Sequence, residues 1–235
     1  MCGTCSVHVK LHRVTQARTI SDARAAPTQL NREMIIDAAE ELVTKHGVRG
    51  LNMRLLAAAL GVGTTSLYRH VRNKDDVLAG LADRKFGRLQ LPDEGHLTWD
   101  DELRAIFGAL RVSARANPEL VEITARQHVN GPAGYDAAER SLRALTRAGL
   151  DIESAVNAFA TLSAFTFGFV QQELHSEARR SQLAERVLGV SSLPAAEYPL
   201  LRGSLTTFLT RDSERHFEMG LNLLIRGIAA SGRDS

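Results

Sequence analysis

The sequence predicts an all-α protein: a small three-helix unit near the N-terminus and a larger helical body behind it. Three observations predict this. Apolar residues recur at helical spacing in block after block, most blocks open on Asn, Asp or Thr or close on glycine, and no alternating apolar-polar run bounded by turns suggests a strand. At 235 residues, 44% hydrophobic and 24% charged, the chain has room for a small domain plus a medium one. No apolar run approaches the roughly 18 residues of a membrane span.

Residues 1–28 carry Lys10, Arg13, Arg18 and Arg24 against one acid, Asp22, and read as a flexible basic arm. Cys2, Cys5, His8 and His12 have the chemistry of metal ligands. Structural zinc sites, however, draw their ligands from a longer folded loop, so no metal or other cofactor is expected. The only cysteines are these two, which cannot staple a core, and residues 1–26 lack the apolar stretch of a signal peptide. Both features suit a cytoplasmic protein.

From Asn31 a helix begins, with Met34, Ile35, Ala38, Ala39, Leu42 and Val43 forming one apolar stripe and Gly47 ending it. Asn52 caps a second, short helix with Leu55, Leu56 and Leu60 facing inward, closed by Gly61. A third starts after Gly63 and buries Leu67 and Val71. Asn73 caps a fourth, expected to reach about Gln90, with Asp75 and Asp76 in its first turn complementing the helix dipole. The expected division is 1–28 for the arm, 29–75 for a helix-turn-helix domain and 76–235 for the body.

In the body, Thr98 caps a helix through Leu103, Ile106, Phe107 and Leu110, and Asn117-Pro118 places proline at a first helical position. Another helix runs from about Ala133 to Ala148, stopped by Gly149. Asp151 caps a long one from Ile152 to about His175, and Asp212 a last one to about Ile228. The long helix mixes Phe159, Phe165, Phe167 and Phe169 with Ala160, Ser163, Ala164 and Gly168, and has no charge from Ser154 to Gln172. That pattern predicts burial nearly all round.

The net charge of +2 is small, so attraction to nucleic acid has to come from a local patch. One exists: no Asp or Glu occurs between Glu41 and Asp75, while Lys45, Arg49, Arg54, Arg69, Arg72 and Lys74 do. Within it, Ala57 and Gly61 lie four apart and a turn of about three residues separates two short helices, the spacing of a helix-turn-helix. Thr64, Thr65 and Ser66 then fall at the N-terminal end of the second helix, the end that enters a major groove. Tyr68, His70 and Lys74 lie where phosphates would pass. Similar helix pairs also occur in ordinary helical cores, and Ser or Thr at a helix start is often only a cap.

Leu30 to Lys74, LNREMIIDAAEELVTKHGVRGLNMRLLAAALGVGTTSLYRHVRNK, closely resembles the N-terminal domain of the tetracycline-repressor family of bacterial regulators. Ile36-Asp37-Ala38-Ala39, Gly61-Val62, Leu67-Tyr68-Arg69-His70 and Lys74 carry the likeness. The resemblance implies that Arg54 reads guanine, that Thr64, Thr65, Ser66 and Arg69 face the groove, and that Tyr68, His70 and Lys74 contact the backbone. Arginine suits that role, because its fork donates two bonds to guanine O6 and N7. Such a protein binds a palindromic operator as a homodimer, typically as a ligand-released repressor.

Trp99, Arg147-Ala148-Gly149-Leu150, Phe165-Thr166-Phe167-Gly168 and Phe217-Glu218-Met219-Gly220-Leu221 resemble the family's tetracycline-binding C-terminal class. The resemblance implies dimerisation through the eighth and tenth helices and a small effector held inside. Where those proteins grip a magnesium-drug chelate, the matching positions here are Gln127, next to His128, and Gln172. Without a carboxylate there, a hard cation lacks its oxygen anion, so the expected effector is apolar or aromatic and bound without metal. Expected lining residues are Phe107, Leu110, Ile123, Gln127, His128, Phe165, Phe169 and Gln172, reached by the fourth helix through Val77, Leu78, Leu81 and Phe86. No P-loop lysine, HExxH or GxSxG occurs, so an enzyme is not expected. The remaining alternative is a helical interaction or small-molecule-binding protein that binds no DNA.

Overall fold

The computed structural model describes residues 29–93, 95–126, 131–178, 183–210 and 212–232. The basic arm lies outside them. Contacts divide the chain into Met1–Leu30 and Asn31–Ser235, and everything below concerns the second unit. Among the described residues there are twelve helices and no strand.

The head comprises α1 (Arg32–Gly50), α2 (Met53–Ala59) and α3 (Thr64–Leu67), and α4 (Lys74–Gly87) leads out of it. Asn31, Asn52 and Asn73 each accept a bond from the backbone N–H three residues on, all at 2.9 Å. Each satisfies a donor that the first helical turn cannot. Gly47, at φ 70°, breaks α1. Ile35, Ala39, Leu56, Leu67 and Val77 are buried and form the head's core. The fourth helix is shorter than its sequence suggested, closing at Gly87 rather than near Gln90.

The body consists of α5 (Trp99–Ala116), α6 (Pro118–Arg126), α7 (Pro132–Arg147), α8 (Ile152–Ala178) and α12 (Ser213–Ser231). Three short helices, α9 (Leu183–Ser191), α10 (Pro199–Gly203) and α11 (Leu205–Leu209), precede the last. The caps Thr98, Asp151 and Asp212 are in place, and Gly149 turns the chain at φ 96°. α5, α7 and α8 pack mutually around Leu103, Phe107, Leu145 and Leu162, with α12 laid along α8.

The long helix α8 is not buried all round. Ala155, Leu162, Thr166, Phe169 and Val170 are covered, but Ile152, Val156, Ala160 and Ala164 form a stripe left exposed among the described residues. Met219 and Leu223 of α12 are exposed too, at 56% and 62%.

Two charge clusters tie the body together. Glu102, only 3% exposed, takes Arg147 at 2.6 Å and Arg140 on its two oxygens, joining α5 to α7. Burial pushes the Glu102 carboxyl up, but these two arginines outweigh it and hold it below the usual carboxylate range. Arg111, 1% exposed, binds Glu173 of α8 at 2.8 Å and Glu214 of α12 at 2.7 Å, with its guanidinium 4.8 Å from the centre of the Phe217 ring. Such a cation needs that full set of partners to lie in a core.

Candidate nucleic-acid interface and interior cavity

The turn between α2 and α3 closes with paired backbone bonds. Gly61 N–H donates to Ala58 O at 3.2 Å and Val62 N–H to Ala57 O at 3.0 Å, with Gly61 at φ 65°. This is the glycine-dependent helix stop in which two otherwise unmet carbonyls are satisfied. It delivers α3 at once, so that Leu67 and Val71 are buried while the opposite side faces outward. On that side Thr65, Tyr68 and Arg69 are exposed, and Thr64, Ser66 and His70 are half-buried; Arg54, in the first turn of α2, is also exposed. Arg54 and Arg69 have no ion pair among the described residues, whereas Arg49 lies 3.4 Å from Glu122 and Arg72 lies 3.7 Å from Asp76.

Lys74 has a second task that its sequence position did not reveal. Its Nζ donates to the Val48 carbonyl at 2.8 Å, tying the start of α4 to the end of α1. Arg32 does the same at the other side, donating to Asp76 Oδ1 at 2.9 Å and to the His70 carbonyl at 3.5 Å. Asp76 Oδ2 in turn accepts from Arg72 N–H at 2.8 Å. Burial raises the Asp76 carboxyl, and the bonds from Arg32 and Arg72 more than reverse this, leaving it below its ordinary value. The segment that follows α3 is therefore clamped to α1 through the His70 carbonyl and to α4 through the Arg72 N–H.

Behind the head, the body holds a partly open cavity of about 600 Å³. Its walls are largely apolar: Phe86 in the last turn of α4 and Leu89 just beyond it, Ile106, Phe107 and Leu110 of α5, Val121, Thr124 and Ala125 of α6, and Gly134, Tyr135, Ala138 and Ser141 of α7. α8 contributes Phe159, Ser163, Ala164, Phe167, Gly168 and Gln171. The Thr124 and Ser141 hydroxyls already donate to carbonyls one turn back. Among the described residues, no Asp, Glu, Lys or Arg lines it.

Of the expected lining residues, Phe107 and Leu110 are there. Ile123, Phe165, Phe169 and Gln172 are not, and the reason is helix register. Ile123 is buried in the core beside the wall residue Thr124, about 100° round α6. Phe165 and Phe169 turn toward α12, where Phe165 stacks on Phe217 at 5.3 Å and Phe169 meets it edge-on at 5.2 Å. Gly220 makes room for this, since a β-carbon there would lie 2.6 Å from Phe165 Cζ. Gln172 faces solvent while its neighbour Gln171 lines the wall. Gln127 and His128 lie outside the described residues, as do Cys2, Cys5, His8 and His12. Among the described residues no cluster of three His, Cys, Asp or Glu is placed to hold a metal ion.

Residues 35–81 match the family of bacterial regulatory proteins described as the tetR family, and residues 91–231 match the tetracyclin repressor-like, C-terminal domain. The chain belongs to the tetracycline-repressor family. An HTH-type transcriptional regulator of Saccharopolyspora erythraea is 34% identical over 207 residues, 86% of each chain. The class D tetracycline repressor protein of Escherichia coli is 34% identical over 204 residues, 85% of this chain and 89% of its own. Among solved structures, ActR of Streptomyces coelicolor in its apo form has a TM-score of 0.78 at 29% identity, covering 89% of this chain and 99% of that one. The same ActR solved with actinorhodin gives 0.77 at 28%, covering 86% and 98%. The TetR-family relatives are regulators and repressors of transcription, and this chain is a helix-turn-helix transcriptional regulator of that family. No described helix is long and apolar enough to cross a membrane.

Proposed function

We propose that the chain is a homodimeric repressor that binds a palindromic operator and leaves it when a small molecule fills the body's cavity. The observation that carries this reading is the double placement of α4. Its first turn holds the segment that follows α3 through Asp76 and the end of α1 through Lys74, and Phe86 near its far end is a wall of the cavity. A ligand moves an equilibrium only by contacting the two states differently, so a wall shared with the head is what release requires.

The reading head takes the roles set out by the resemblance. Arg54, Thr64, Thr65, Ser66 and Arg69 face the groove; Tyr68, His70 and Lys74 meet phosphates. Dimerisation covers the stripe of Ile152, Val156, Ala160 and Ala164 together with Met219 and Leu223, and two-fold symmetry of the protein then dictates a palindromic site. The wall chemistry favours an aromatic, largely apolar effector of drug size, held without metal. The likeness to ActR, solved with actinorhodin, supports that class.

Fluorescence anisotropy tests the head, using a duplex selected from a randomised pool and an unselected one. Arg54→Ala should cost about 1–3 kcal/mol on the selected duplex and relax preference at one base pair. Lys74→Ala should weaken both duplexes and flatten the salt dependence. Equal losses of Arg54→Ala on both duplexes would remove its role as a base reader. Calorimetry against actinorhodin, other aromatic compounds and magnesium-tetracycline tests the cavity, and tight, magnesium-dependent tetracycline binding would overturn the metal-free reading.

A further inference from the structure

Three consecutive residues of α4 reach three different parts of the molecule, as the 100° step of a helix allows. The Arg84 guanidinium lies on the Asp37 carboxylate, 3.3 Å from Glu40 Oε2 and 3.3 Å from the Glu33 carbonyl, all on α1. Lys85, 6% exposed, places its Nζ against Glu40 of α1 and 3.6 Å from Glu119 of α6. Asp83 points elsewhere. Its Oδ1 accepts from the backbone N–H of Gly134, in the first turn of α7, at 3.0 Å.

That first turn has no cap of its own. Gly131 stands at the cap position with no side-chain bond and Pro132 follows it. The unmet N–H groups and the positive end of a 16-residue helix therefore look outward for an acceptor, and Asp83 supplies a carboxylate from another helix. Gly131 is buried, and a β-carbon there would lie 2.2 Å from Asp83 Cγ, so the glycine leaves the space the carboxylate uses. The same turn is cavity wall, through Gly134 and Tyr135, and Phe86 lines that cavity one turn beyond Asp83.

We propose that Asp83 is the positioning residue that couples the α7 wall of the cavity to the DNA-reading head. It rests on the reading of the head as a DNA binder and of the cavity as its effector site. The bond between Asp83 and Gly134 joins a wall that touches the ligand to a helix whose next residue is fixed to α1. A hydrogen bond at 3.0 Å weakens steeply once its geometry opens, so a small shift of the α7 turn is felt by α4 and hence by the head, and the reverse holds by linkage.

Hydrogen exchange of residues 131–138 in the full chain, with and without the selected duplex, tests this without needing the effector. In the unmodified chain, duplex binding should slow exchange in the first turn of α7 several-fold. In Asp83→Ala that slowing should vanish while the duplex is still bound, and Asp83→Asn, which keeps an acceptor oxygen, should restore much of it. Gly131→Ala, which evicts the carboxylate without altering its charge, should lose the slowing too and serves if Asp83→Ala does not fold. A cap that was merely structural would speed exchange equally in free and bound forms and leave the duplex-induced slowing intact, which would overturn the proposal. An unmodified chain that binds the duplex with no response at α7 would overturn it and leave the DNA-binding reading standing. A chain that binds no duplex would remove both.

Discussion

Replacing Lys85 by Met should loosen the joint between α1, α4 and α6 by an amount that the structure bounds. The Lys85 side chain is 8% exposed, and its partners Glu40 and Glu119 are 22% and 15% exposed. Breaking a buried pair by removing one member costs about 3–5 kcal/mol. Two facts reduce that here: Glu40 keeps Arg88 at 3.1 Å and Arg84 at 3.3 Å, and methionine fills the volume of the lysine stem. About 2–3 kcal/mol remains, arising from the lost bonds to Glu40 and Glu119 together. For a protein of this size that corresponds to a Tm about 5–10 °C lower. The loss should also depend on pH. Burial alone would raise the Glu40 carboxyl, but the bonds and charges of Lys85, Arg88 and Arg84 hold it below its ordinary value of 4.5. A carboxyl depressed by folding stabilises fully above its unfolded pKa and loses that contribution as pH falls through the folded one. The Tm gap between the two proteins should therefore be widest near neutrality and narrow below the carboxylate range. Circular-dichroism melts at pH 7.5 and in acid measure both. A Tm within about 1 °C of the unmodified chain at pH 7.5, against the several degrees expected, or a gap that acid leaves unchanged, would refute the reasoning.

Gly61→Ala should cost about 1–2 kcal/mol in urea unfolding, because an L-residue must enter the left-handed region there and nothing lies within 4 Å of the new β-carbon to add a clash. Glu102→Gln should cost about 2–4 kcal/mol, since it strips the charge shared by Arg140 and Arg147. Because folding depresses the Glu102 carboxyl, that penalty should fade as pH drops through its folded pKa. The pair Val156→Glu and Leu223→Glu should leave the monomer fold intact, as both side chains are exposed at 47% and 62%, yet give a single-subunit mass in sedimentation equilibrium. A dimer that survives both charges would place the interface elsewhere.

Much of the fold was legible in the sequence because the signals were local. Asn31, Asn52, Asn73, Thr98, Asp151 and Asp212 act on N–H groups two or three residues away, and Gly47, Gly61 and Gly149 act on their own backbone. The short helices between 183 and 209 gave less signal, since Tyr198 and Ser204 stand at cap positions without making a cap bond. Wall residues of α8 were the hardest to assign. A helix with large apolar side chains on several faces carries no phase, so its neighbours decide which face is which. Phe169 goes to Phe217, His216 and Arg111, and Phe167 is left for the cavity. Buried ion pairs were equally silent, because Lys85 meets Glu40 across 45 residues of chain and Arg111 meets Glu173 across 62.

The turn at residues 83–85 also fixes how the head is able to move. Arg32 with Asp76 near one end of α4, and Arg84 with Asp37 and Glu40 near the other, staple α4 to α1 at two points. A rod held twice along its length resists rolling and sliding against what holds it, so these pairs brace α4 against α1. Among the described residues, the part-buried polar links of this braced pair to α6 and α7 are gathered in a single turn, at Lys85 with Glu119 and Asp83 with Gly134, and the remaining link to α6 is the solvent-exposed pair of Arg49 with Glu122. A load-carrying contact confined to one turn is a fulcrum, and the soft motion it leaves is a tilt. Lys74 lies ten residues from Arg84, about 15 Å along the helix. A tilt of about 5° would carry that end, and the segment clamped to it after α3, through about 1 Å on that lever arm, enough to unmake the base-edge hydrogen bonds proposed for the head while no helix unwinds.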